Sequence, residues 1–85
     1  MGVCVDLFKE FENEEKVIYR FFPCEDKEKA GKIQFNKRLK RSEELEPAKG
    51  ESANHYFLKA VGAIQKHVRH SSNSDKFPEF LFSQS

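Results

Sequence analysis

The chain has no tryptophan, and only 38% of its residues are hydrophobic. It has no stretch of about 18 consecutive apolar residues, which excludes a conventional membrane-spanning helix. Its net charge is only +1. That balance excludes a general polyanion binder or a basic membrane-surface protein. No basic segment followed by an apolar one opens the chain, so no signal peptide is read. With only two cysteines, Cys4 and Cys24, the expectation is a cytoplasmic protein with both residues reduced, serving as small apolar side chains. Catalytic motifs, cofactor fingerprints, internal repeats and low-complexity segments are also missing, and no cofactor is expected.

What the chain has instead is phenylalanine. Nine Phe and two Tyr offset the thin aliphatic content, since each aromatic buries roughly 150–250 Å². Eighty-five residues suffice for one domain with one small core.

Three segments alternate as strands do. Residues 2–11 place Val3, Val5 and Leu7 on one face and Cys4, Asp6 and Phe8 on the other, with Phe11 rejoining the first face if the alternation runs unbroken. Residues 16–22 form the clearest strand. Val17, Tyr19 and Phe21 share a face and Ile18, Arg20 and Phe22 the other, so it should be central and at least partly covered on both sides. Pro23 ends it. After a charged loop closing on Gly31, read as a positive-φ turn, residues 32–41 form the third strand. Ile33, Phe35, Lys37 and Leu39 point one way.

Glu43–Gly50 reads as a linker, part of which extends the third strand or turns. Ser52 caps a helix over residues 53–69. Phe57, Val61, Ile64 and Val68 make its apolar stripe, which Leu58 and Ala60 widen. The cationic end of that helix suits its dipole. The tail, residues 76–83, is dense in Phe and is expected to dock as an edge strand or flap.

The expected fold is therefore α+β: a three-stranded antiparallel sheet in the order strand–strand–strand–helix. The helix covers one face, and a C-terminal aromatic segment completes the fold with room for a short fourth strand.

Two surfaces are candidates for function. Lys32–Arg41 holds five bases and no acid, between acidic neighbours. Lys32, Gln34, Asn36, Arg38 and Lys40 would form a cationic face able to meet phosphates or a carboxylate-rich partner. The plainer reading is a solvated face whose lysines discourage aggregation. The second candidate is apolar: Phe8, Ile18 and Phe22 would lie on the sheet face that the helix leaves open, joined by Phe77, Phe80 and Phe82 from the tail.

Sites for chemistry are weak by comparison. His67 and His70 share a helix face but lack local partner ligands. Cys24 lies beside Glu25 and Asp26, which disfavour a thiolate. Ser52 is explained by capping. The chain is read as a non-enzyme. The leading expectation is a non-catalytic protein–protein interaction or regulatory module, in the form of a homodimer. The alternatives are a small inhibitor or immunity-type protein that blocks a toxin or enzyme, and a nucleic-acid-binding module using the basic strand.

Overall fold

The computed structural model describes residues 4–49, 53–70 and 76–83. Five strands and one long helix follow one another as β1 (Val5–Glu12), β2 (Lys16–Pro23), β3 (Gly31–Asn36), β4 (Arg41–Glu46), α1 (Ala53–His70) and β5 (Phe80–Ser83). The fold is α+β with an antiparallel sheet. The sheet has five strands in the order β4-β3-β2-β1-β5 rather than the three expected. Four strands form a meander. The chain then crosses back as α1 and adds β5 beside β1.

Each of two hairpins is opened by an asparagine. Asn13 Oδ1 accepts from the amides of Glu15 and Lys16 at 2.8 and 2.9 Å. Asn36 Oδ1 accepts from the amides of Arg38 and Leu39, both at 2.9 Å. The second of these turns replaces the long third strand expected over residues 32–41. The strand stops at Asn36, and Lys40 takes a left-handed conformation at φ 54°, which lets the chain reverse into β4. Leu39 consequently sits on the turn, 66% exposed, and not in the core.

Gly31 also has a different role from the one expected. It opens β3, and a Cβ there would lie 2.6 Å from both the Ala48 nitrogen and the Glu46 oxygen. Close backbone approach requires the glycine, not a positive φ.

The core lies between α1 and one sheet face. Val5, Leu7, Val17, Tyr19, Phe21, Ile33 and Phe35 meet Ala60, Ala63 and Ile64 of the helix. Phe57, Val61 and Val68 pack partly against them. Leu58, expected to widen the stripe, is 59% exposed instead.

The tail is bound at several points before β5 begins. Phe77 is buried against Tyr19, Phe35 and His67. The Tyr19 hydroxyl donates to the Pro78 carbonyl at 2.5 Å, and burial raises the Tyr19 pKa. Phe77 is thus a core residue rather than the interface residue expected.

Cys4 and Cys24 form a disulfide, with Cα atoms 5.4 Å apart. This overturns the expectation of two reduced thiols. The bond sits just beyond the Val5–Pro23 pair of β1 and β2, where antiparallel pairing brings the two Cβ atoms together. Among the described residues no helix is long and apolar enough to cross a membrane.

Candidate interaction surface

The helix covers one face of the sheet and leaves the other open. Strand alternation sends Asp6 and Phe8 of β1, Ile18, Arg20 and Phe22 of β2, and Lys32, Gln34 and Asn36 of β3 to that open face. The register of β5 adds Phe80, opposite Phe8, and Phe82, opposite Asp6.

A bulge at Glu10 adds one more aromatic. Lys9 pairs with Tyr19, but Phe11 pairs with Ile18, so the extra residue moves Phe11 from the helix side to the open side. Unbroken alternation had put it with Val5 and Leu7.

The result is an aromatic field over β5, β1 and β2. Phe8 stacks on Phe22 with ring centroids 5.6 Å apart and planes 13° from parallel. Phe80 meets Phe8 at 5.0 Å and Phe82 at 6.0 Å. Phe22 is covered by this stacking, whereas Phe8, Phe11, Phe80 and Phe82 remain between 43% and 57% exposed. Taking half of each ring's usual burial, these four present roughly 300–500 Å² of apolar surface. That lies in the range of the largest patch on a typical monomer, where such a patch is often functional.

Beside the aromatic field lies a charged one. Glu10 accepts from Arg20 Nε at 2.9 Å and Lys32 Nζ at 3.3 Å. Across the β3–β4 pairing, Gln34 faces Glu43, Asn36 faces Arg41 and Lys32 faces Glu46.

The expected cationic face is therefore divided. Lys32, Gln34 and Asn36 stay on β3, Arg38 and Lys40 leave it for the turn, and Asn36 is engaged in building that turn. Acids from β1 and β4 are interleaved with what remains. Alternation along β3 alone does not reveal this, because the acids come from other strands.

The other titratable cluster is on the helix side, at the end of β1. The Glu12 carboxylate accepts from Lys9 Nζ and Lys37 Nζ, each at 2.8 Å, and from the Phe77 amide at 2.9 Å. Burial pushes its pKa upward, but these bonds and the Lys37 charge outweigh that and hold it at about 2. All three donors bind parts of the chain together, so the cluster is a structural tie.

Among the described residues, His67 and His70 fall in no group of three or more potential metal ligands. The one group of potential metal ligands among the described residues is Cys4, Asp6 and Cys24. With its sulfurs joined, that group offers no thiolate to a metal.

A groove of about 610 Å³ runs between α1 and β5, lined by Gly62, Ala63, Lys66, His67, His70 and residues of β5. Sequence reading missed it. The available signal was Gly62, a glycine in the middle of a helix, where it costs about 1 kcal/mol relative to alanine.

Comparison with protein-family models, with curated proteins and with solved structures finds no match to this chain.

Proposed function

We propose that the protein is a non-catalytic interaction module, and that its open aromatic face packs against the same face of a second copy. The observation carrying this reading is the aromatic field itself. Phe8, Phe80 and Phe82, all half-exposed, adjoin one another on the sheet face opposite the helix, and half-exposed Phe11 lies further along β1 on the same face.

Three considerations favour a second copy. The patch is about the right size for the apolar centre of an interface burying about 800 Å² per partner. The neighbouring field carries both signs, Glu10 and Glu43 with Arg20, Lys32 and Arg41. A two-fold axis can then set acid against base, where a face of one sign would repel itself. The open face also belongs to a sheet backed by a helix. Two such sheets stack face to face about 10 Å apart, with the helices outside.

Nucleic-acid binding through β3 is the weaker reading, because Glu10 already engages Lys32 and Arg20. The disulfide favours an oxidising environment for the working protein over the cytoplasmic one read from the sequence.

The test is the concentration dependence of thermal unfolding. A dimer gains stability with protein concentration by mass action. The unfolding midpoint of the native chain should rise with concentration, and Phe8→Glu should abolish that rise while leaving a cooperative transition. A midpoint independent of concentration in the native chain contradicts the reading.

A further inference from the structure

The outer edge of β5 and the groove beside it form a second surface, distinct from the open face. Strand β5 ends the sheet. The Lys9 amide donates to the Glu79 carbonyl at 2.8 Å. In an antiparallel ladder the hydrogen-bonded pairs alternate. Lys9 with Glu79 and Leu7 with Leu81 are therefore the pairs that bond across β1 and β5, and the N–H and C=O groups of Phe80 and Phe82 point away from the sheet. No described strand pairs with them.

Helix α1 flanks this edge. Gly62 lies in the groove wall with nothing within 4 Å of the position a Cβ would take. No described neighbour requires a glycine there, yet its presence weakens the helix. The absent side chain leaves open space in the groove beside β5. Lys66 and His70 follow at four-residue intervals on the same wall, and α1 supplies no acid to oppose them.

We infer that this edge accepts an extended peptide segment of a partner protein by strand addition, and that the segment alternates acidic and apolar residues. Its backbone would pair with Phe80 and Phe82. Side chains of one parity would enter the groove, where Lys66 and His70 select carboxylates. Those of the other parity would lie on the open-face side beside the Phe80 and Phe82 rings, where apolar groups fit. Stacking of two open faces engages the Phe80 and Phe82 rings but not their outward N–H and C=O groups or the groove, so strand addition does not require the dimer to be absent.

The probe is a fluorescently labelled, end-blocked octapeptide of alternating Glu and Val, compared with its Lys–Val counterpart, against the full chain. Anisotropy should show saturable binding of the Glu–Val peptide, at least tenfold tighter than the Lys–Val one. Amide resonances of Phe80 and Phe82 should shift most. Gly62→Leu should weaken binding at least tenfold while leaving the unfolding midpoint equal or higher, because leucine is the better helix former. Phe82→Pro, which removes an outward N–H and no ladder bond to β1, should weaken binding likewise. The inference is overturned if the Glu–Val peptide does not bind at millimolar concentration, or if both variants bind it normally. It is also overturned if the shifts fall on β4 or on the open-face residues of β1 to β3, or if the edge is occupied by β4 of another copy, seen as open-ended self-association that Phe82→Pro abolishes.

Discussion

Glu12, the last residue of β1, accepts a hydrogen bond from the amide of Phe77 at 2.9 Å, across a separation of 65 residues. The same oxygen accepts from Lys37 Nζ at 2.8 Å. One carboxylate thus ties together β1, the turn after β3 and the start of the tail. Lys37 also lies 5.6 Å from the centre of the Phe77 ring. The Glu12 pKa falls from an ordinary 4.5 to about 2 in the folded protein. A depressed folded pKa contributes stability that is fully present above the unfolded value and is lost as pH falls through the folded one. Glu12→Gln should cost on the order of 2 kcal/mol at neutral pH. The gap between variant and native unfolding midpoints should narrow as pH falls from about 4.5 towards 2. Thermal unfolding across that range checks it, and a gap that stays constant would contradict the role assigned to the carboxylate.

The disulfide should be present in the purified protein without added oxidant. Thiol titration of the denatured, unreduced chain should find no free thiol. Replacing both cysteines by alanine should lower stability by roughly 3 kcal/mol and leave the sheet intact by circular dichroism, because the register of β1 and β2 is also held by the Val5–Pro23 to Glu12–Val17 pairs.

Gly31→Ala should be severe, because Gly31 is buried at the start of β3. The added methyl meets backbone atoms at 2.6 Å and the tip of the Phe21 ring at 2.8 Å. Backbone cannot rotate aside as a flexible side chain can, so a loss of about 3 kcal/mol is expected. Chemical denaturation measures it.

The helix offers an internal comparison. Ile64 is fully buried, and Ile64→Ala should cost about 2–5 kcal/mol. Leu58 is 59% exposed, and Leu58→Ala should change stability by less than about 0.5 kcal/mol. Equal effects in denaturation would mean that the helix is rotated from the position described.

These residues also show what the sequence could and could not reveal. The strands β1 and β2 were legible because Val5, Leu7, Val17, Tyr19 and Phe21 alternate into one core. The helix was legible because Ala60 and Ile64 recur at helical spacing. β4 was not, since it is a mostly exposed edge strand whose one large apolar residue is Leu45. Its preceding turn uses Asn36 and a left-handed Lys40 in place of the usual glycine or proline. Bulges escape pattern reading altogether, and the one at Glu10 brought Phe11 to the open face. The uncovered face itself was readable from β2, whose two sides are both largely apolar. Its Phe80 and Phe82 extension depended on the register of β5. The cysteine pairing lay in long-range geometry, which spacing alone does not supply.

The central claim is that the aromatic face joins two copies. Light scattering of the native chain at tens of micromolar tests it most directly. The account predicts a particle of twice the 9.9 kDa chain mass, reduced to a folded monomer by Phe8→Glu. A native chain that scatters as a single 9.9 kDa particle across that range, indistinguishable from Phe8→Glu, would contradict it.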